Sequence, residues 1–301
     1  MYNWTANLLL LFSMGAVLGV LFLWIYLKKK ELRKFPFSDD VLRIPGQGLS
    51  EKMNELSFDL AISFGLVPLA PVLTYAIYLQ SLSDNGRQMS GPVAVGLLLI
   101  AAGSMSYLII RIFRILGERH AYQLGYAGEV AVAGSLNELI RDGYYIFHDI
   151  QGDRKFNIDH IAVGPNGVFA IETKVKTKSK KVPTKMAYKV FYDGEALYFP
   201  EKPKCRHKDY IEQAESGAKW VSKWLSSATG MSVKATPVLV MPGWFIERKR
   251  PGGILVLNHN QLAALERVNN ARLSQEEVRC IAYQIKQKCL DKDIVPKSLR
   301  S

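Results

Sequence analysis

The 301-residue sequence predicts an α/β domain built around a mixed central sheet, preceded by three transmembrane helices. Three observations carry this. Long uncharged apolar runs crowd the first third of the chain. From Gly125 onward a helix-period segment, three strand-like runs, a second helix and a further strand follow in that order. The basic residues, which give a formal charge of +12, gather beside the apolar runs and through the second half. That balance suits an anionic partner, either a nucleic acid or a lipid surface, while basic flanks also serve membrane topology.

Residues 8–27, "LLLLFSMGAVLGVLFLWIYL", are uncharged and long enough to cross a hydrocarbon core as a helix. A cleaved leader is the competing reading. Against it, the basic run "KKKELRK" follows the apolar stretch instead of preceding it, and no small-residue cleavage site is evident. Residues 60–79 form the second expected span, kinked at Pro68 and Pro71. Residues 92–113 form the third, ending at Arg111 and Arg114, which can snorkel. Lys28, Lys29, Lys30, Arg33, Lys34, Arg43 and Lys52 lie between the first and second spans, but only Arg87 lies between the second and third. By the positive-inside rule the N-terminus is outside and the chain after the third span is cytoplasmic, as in a multi-pass protein of a bacterial inner membrane. No span holds an internal Asp, Glu, Lys or His, which argues against an ion path and for an anchor in the lipid bilayer. Cys205, Cys280 and Cys289 form no CxxC pair and no metal spacing, so reduced thiols are expected.

Residues 1–116 are therefore expected as the membrane anchor, 117–260 as the α/β domain and 261–301 as a C-terminal helical extension. The first domain helix carries Val130, Ala133, Leu136, Leu139 and Ile140 at helical spacing and stops at Asp142-Gly143. "YYIFHDI" reads as a strand. Residues 157–174 read as two strands split by Asn166-Gly167, and 190–199 as a small hairpin around Asp193-Gly194. A helix is expected over 209–225, strands over 236–243 and 252–258, and a final helix opening on a Ser274…Glu277 capping box.

The strands at 157–174 contain charges, which are expensive to bury without compensation. A two-residue turn at Asn166-Gly167 pairs Pro165 with Val168, Ile161 with Glu172 and Asp159 with Lys174. Alternation then sets Asp159, Glu172 and Lys174 on one face, with Asp159 diagonal to Glu172. Two carboxylates with oxygen donors and no cysteine nearby suit Mg²⁺ or Mn²⁺. A lysine beside them can orient water and offset charge on a phosphate, which is metal-assisted phosphodiester hydrolysis in outline. Lys176, Lys178, Lys180, Lys181 and Lys185 supply a basic rim for a nucleic-acid backbone. The competing reading is a plain Asp159–Lys174 cross-strand pair with Glu172 at an exposed strand end. His160, on the opposite face, reads as a structural hydrogen-bonder, and Trp220 and Trp224 as packing.

Asp159 followed by Glu172-Thr173-Lys174 resembles the PD-(D/E)xK signature of restriction-endonuclease-like nucleases. The wider set "GYAGEVAV…LNEL", "NIDHIAVGPNGVFAIETK", "YDG", "IEQA" and "TPVLVMPGW" resembles the nuclease-related domain (NERD) over residues 125–244. The resemblance implies a restriction-endonuclease-like mixed central sheet flanked by helices. It implies Asp159 and Glu172 as metal ligands, the Thr173 carbonyl as a third, and Lys174 as the catalytic lysine. Glu129 then completes the metal site and Gln213 supports it. Mg²⁺ or Mn²⁺ is the implied cofactor, nucleic acid (DNA ahead of RNA) the implied partner, and a homodimer an implied assembly. The expected function is membrane-anchored, Mg²⁺-dependent hydrolysis of nucleic-acid phosphodiester bonds on the cytoplasmic side. The alternatives are a non-catalytic nucleic-acid-binding module and a membrane-associated interaction module. The two carboxylates favour the first reading, since a domain that only binds an anion has no need to face it with negative charge.

Overall fold

The computed structural model describes residues 42–83, 90–152, 156–179, 183–268 and 272–290. The expected span at 8–27 lies outside the described residues, as do Lys180 and Lys181. The chain divides into two compact units, one taking in Met53–His120 and the other Ser38–Lys52 with Ala121–Ile294.

The apolar first part is helical. α1 (Gln47–Leu66) and α2 (Leu69–Ser83) are separated at Val67-Pro68, where proline interrupts the run. The interruption is mild, since Val67 N–H still reaches the Ser63 carbonyl and Val72 N–H the Pro68 carbonyl. α3 (Gly91–Leu136) is one continuous helix. The sequence reading divides it into a span and a separate domain helix. The residues between, "ILGERHAYQL", contain no proline and mostly good helix formers, so nothing stops the helix. Two helical stretches, Gln47–Gln80 and Gly91–Asp142, are long and apolar enough to cross a membrane, and their most apolar windows are almost wholly unburied by the protein itself. Leu98, Leu99, Ile100 and Phe113 stand out with more than half their surface exposed.

The second unit holds a five-stranded mixed sheet. Its strands are β1 (Tyr145–Gln151), β2 (Asn157–Gly164), β3 (Gly167–Thr173), β7 (Ala235–Val240) and β9 (Leu255–Leu257), in that spatial order. β1, β2 and β3 pair antiparallel, while β3, β7 and β9 pair parallel. A second mixed sheet contains β4 (Lys189–Tyr192), β5 (Leu197–Phe199), β6 (Lys202–His207) and β8 (Phe245–Arg248), with β5 central between β6 and β4. Between β3 and β4 lies the one-turn helix α4 (Thr184–Ala187). α5 (Asp209–Thr229) and α6 (Gln275–Cys289) complete the unit. Neither β6 nor β8 is foreseen by the sequence. Both are short, exposed and charged, so they lack the apolar alternation that marks a strand.

Helices cover both faces of the larger sheet, consistent with the restriction-endonuclease-like architecture. On one face Phe147, Ile161, Val163, Val168 and Ala170 pack with Ala218, Val221 and Leu225 of α5 and with Val278, Ile281 and Ile285 of α6. On the other, Ala162, Phe169, Ile171, Val238 and Val240 pack with Val132 and Leu136 of α3 and with the 3₁₀ turns that carry Leu139, Leu262 and Leu265. Each fully buried Ile, Leu or Phe here contributes about 1.5–3 kcal/mol. α5 buries Ile211, Ala214, Gly217, Ala218, Val221 and Leu225, a stripe at helical spacing, and opens with Asp209 and Glu212 at the favourable end of its dipole. The capping box of α6 is formed: Glu277 N–H donates to Ser274 Oγ at 3.2 Å and Ser274 N–H to Glu277 Oε2 at 2.7 Å.

Candidate carboxylate site

The turn between β2 and β3 is Pro165-Asn166, with Gly164 opposite Gly167 and His160 opposite Ile171. This corrects the expected turn at Asn166-Gly167. Asn166 sits within the turn because its Nδ2 donates to the Glu266 carbonyl at 2.7 Å, tying the turn to the following 3₁₀ segment. One step further along this register, Asp159 comes opposite Glu172 and not diagonal to it. The displacement is an even number of residues, so the two carboxylates still share their setting.

Asp159 is half-buried, and its Oδ2 accepts the Thr173 N–H at 2.7 Å. Lys174 does not pair with it, as the cross-strand alternative required. The Lys174 Nζ lies 2.8 Å from Glu172 Oε1 instead, and 5.8 Å from the centre of the Tyr210 ring. Burial pushes the Asp159 carboxyl well above its ordinary range, and the charges of Glu172 and Glu129 push the same way. Glu172 is also raised, by burial acting against the Lys174 ammonium. Burial pulls Lys174 toward neutrality, but the Glu172 carboxylate outweighs it and keeps the lysine charged. Glu129, buried on α3, is raised to about 7 by burial, then by Asp149 and Glu172. The sequence-predicted set of Asp159, Glu172, Lys174 and Glu129 is therefore one electrostatic cluster.

Two residues absent from the sequence reading shape it. Asp149, in β1, is 5% exposed and is the one non-glycine residue at positive φ (48°) among the described residues. Its Oδ2 accepts Arg43 Nε at 2.8 Å, Arg43 Nη2 at 2.6 Å and Gly48 N–H at 2.9 Å, while Oδ1 accepts Asn157 Nδ2 at 3.1 Å. Strand alternation slips here: Phe147 and Ile150, and across from them Ile161 and Ile158, all enter the same core although each pair is three apart. The second residue is Gly128, next to Glu129. A Cβ there would run into the Val175 side chain, so the glycine lets the chain leaving β3 press directly on α3. Gly128→Ala is expected to push Val175 away, separate Lys174 from Glu129 and destabilise the protein by about 1–3 kcal/mol, as overpacking does. Thermal melting reads the loss, and an unchanged melting temperature would refute the close packing.

The other expected site residues are placed differently. Gln213 is exposed on α5 and makes no hydrogen bond to the carboxylates among the described residues. Lys176 is engaged: its Nζ is 3.2 Å from Glu201 Oε1 and 3.7 Å from the Phe199 ring centre, and its carbonyl accepts the Trp244 Nε1–H at 3.1 Å. Lys178 is exposed. Lys185 lies in α4, and its side chain is outside the description. His160 hydrogen-bonds His148, Nδ1 to Nδ1 at 2.8 Å. Burial lowers His148 to about 4 and His160 well below its usual range, so both rings are neutral near pH 7 and one donates to the other. A basic and aromatic surface lies outside the expected site. Phe191 stacks on Tyr198 with centroids 5.2 Å apart, Lys249 lies 5.0 Å above Phe191, and β6 exposes Lys202, Lys204 and Arg206. The alternation in "KVFY" was its only sequence signal.

The donor chemistry fits a hard divalent cation. Two buried carboxylates, Glu129 and Glu172, and the half-buried Asp159 lie within electrostatic reach of one another, and the Thr173 Oγ1 between Glu172 and Lys174 is buried without a hydrogen-bond partner among the described residues. No three His, Cys, Asp or Glu side chains among the described residues converge as a ready-made cage. Mg²⁺ commonly takes one or two carboxylates and keeps several waters, so a pair of carboxylates meets its demand.

The nuclease-related domain family matches this part of the chain, over residues 124–242. Those residues are similar to a nuclease-related domain. No curated protein and no solved structure matches the chain. The matched stretch of the nuclease-related domain contains Glu129, Asp149, Asp159, Glu172 and Lys174, but not Arg43, Gly46 or Gly48.

Proposed function

We propose that the protein is a membrane-anchored, Mg²⁺- or Mn²⁺-dependent nuclease that hydrolyses phosphodiester bonds of nucleic acid, DNA ahead of RNA. The observation that carries this reading is the crowding of three carboxyl groups: Asp159, Glu172 and Glu129 have Lys174 as their only close ammonium partner among the described residues. A fold tolerates such mutual repulsion for a purpose, and a divalent cation relieves it. Asp159 and Glu172 would hold the metal with the Thr173 carbonyl, and Glu129 would complete the site. The metal supplies a Lewis acid for the phosphoryl oxygen and an activated water. Lys174, kept charged by Glu172, would meet the negative charge that grows on the phosphate. The exposed Lys178 and the Lys202–Lys204–Arg206 edge support contact with a phosphate backbone.

The anchor follows from the two apolar helices, whose unburied side chains need an apolar surrounding. The segment before α1 and the domain after α3 fold into one unit, so they lie on one side of the membrane. Two crossings between them, over 60–79 and 92–113, satisfy this. With the positive-inside rule that side is the cytoplasm of a bacterial cell.

Calorimetric titration of Mn²⁺ into the full chain in detergent, with cleavage of labelled nucleic acid alongside, tests the reading. Because Glu129 titrates near 7 and Asp159 is raised, the cation must displace protons. Mn²⁺ affinity is therefore expected to rise between pH 6 and 8, with protons released on binding. Affinity independent of pH, or nucleic-acid binding without cleavage at any metal concentration, would move the protein to the binding-module reading.

A further inference from the structure

The nuclease-related domain is built with a piece of chain that precedes it by some eighty positions in sequence. Leu42 bridges Leu290, and Arg43 N–H donates to the Cys289 carbonyl at 3.1 Å. Arg43 is 7% exposed and presents both Nε and Nη2 to one oxygen of Asp149. Gly46, at φ +69°, turns the chain against Tyr126 of α3, three residues before Glu129, with its backbone toward the Glu129 carboxylate. A Cβ at this position would meet the Tyr126 ring at 2.6 Å. Gly48 N–H, in the first turn of α1, donates to Asp149 Oδ2, and that turn has no acidic residue of its own. Asp149 thus caps the helix from another part of the chain.

These contacts do two separate things. Arg43, Gly48 and Asn157 occupy Asp149, the fourth acid near the cluster, and leave it unavailable as a ligand. Gly46 meanwhile sets its backbone beside Tyr126 and the Glu129 carboxylate. We propose that residues 42–48 are a positioning segment of the carboxylate site, in which Arg43 sequesters Asp149 and Gly46 orients Glu129, so that the site is complete only while this segment is docked. The proposal rests on the metal-dependent reading above. Its consequence is a physical link from the anchor to the site. The segment continues into α1, whose later residues belong to the apolar unit, so a change at the membrane that undocks residues 42–48 would release Glu129.

A purely structural role is the competing account, and it predicts that any variant which folds also binds metal normally. The test uses the full chain in detergent and Mn²⁺ as the probe. Arg43→Met with Asp149→Asn removes both charges of the buried pair, and the amide oxygen introduced at that position can still accept the Gly48 N–H, so folding is preserved and checked by melting. This double variant is expected to bind Mn²⁺ about 10–100-fold more weakly, the usual effect of losing an outer partner of a metal site. Arg43→Lys, which keeps the charge but not the fork, should fall between it and wild type. Glu129→Gln should weaken binding in the wild-type background and add nothing in the double-variant background, because both changes act on the same group. Wild-type affinity in a folded double variant, or full additivity with Glu129→Gln, overturns the proposal alone. Absence of Mn²⁺ binding in the wild type overturns the metal reading and this proposal together.

Discussion

Asp159→Asn is expected to abolish metal-dependent cleavage and, in the absence of metal, to make the protein more stable. The asparagine oxygen can still accept the Thr173 N–H, which Asp159 Oδ2 accepts at 2.7 Å. What disappears is a carboxyl that burial, Glu172 and Glu129 all disfavour in its charged form. A carboxyl raised on folding gives its full stability below its unfolded value, near pH 4, and loses it as the pH climbs toward the folded value. The wild type therefore loses stability as the pH rises from about 4 toward the raised folded-state value, and the asparagine variant follows a flatter curve. A gain of about 1–2 kcal/mol at pH 7, seen as a rise of about 2–8 °C in melting temperature, is the expected size. Saturating Mn²⁺ should reverse the order, because only the wild type gains binding energy. An Asp159 that served as an ordinary ion-pair partner would give the opposite sign: the variant would be less stable with or without metal. The same comparison in Glu172→Gln is less clean, because that change also strands the Lys174 ammonium 2.8 Å away.

The carboxylate pair was legible in the sequence because alternation along a strand is robust. An error of two residues in the β2–β3 register left Asp159 and Glu172 together, whereas an error of one would have separated them. Glu129 was legible only through the family resemblance, since nothing in the helical pattern of α3 says which residue of a sheet it will face. Asp149 was not legible at all. It lies inside "YYIFHDI", which reads as a plain strand, and its positive φ and its slip in alternation go with partners, Arg43 and Gly48, that arrive from far upstream. Long-range partners of this kind leave no local periodicity. The second sheet failed for a different reason: β6 and β8 are exposed edge strands whose composition, "KPKCRH" and "FIER", is that of a solvated loop. The start of α6, by contrast, followed local chemistry, as its Ser274–Glu277 box shows.

Cutting the chain at residue 117, where the sequence places the start of the α/β domain, is expected to produce a poorly folded fragment. Residues 117–301 keep Asp149 but lose Arg43 and the Gly48 N–H, leaving a carboxylate that is 5% exposed with only Asn157 to satisfy it. Removing one partner of a buried pair costs about 3–5 kcal/mol, set against a total stability of about 5–15 kcal/mol for a domain of this size. The Leu42–Leu290 bridge and the Gly46 contact with Glu129 go with it. The fragment should bind hydrophobic dye and melt broadly at pH 7. Asp149→Asn in the same fragment should restore part of the cooperativity, since the stranded charge is the largest single loss. Supplying residues 38–52, fused through a flexible linker, should restore more, because it returns the guanidinium and the Gly48 N–H at once. A 117–301 fragment that melts as sharply and as high as the fused form would mean that Arg43 contributes nothing net, and that the charge of Asp149 is carried by water. The asparagine rescue separates these cases: it raises the melting point only if the unpaired carboxylate is what weakens the fragment.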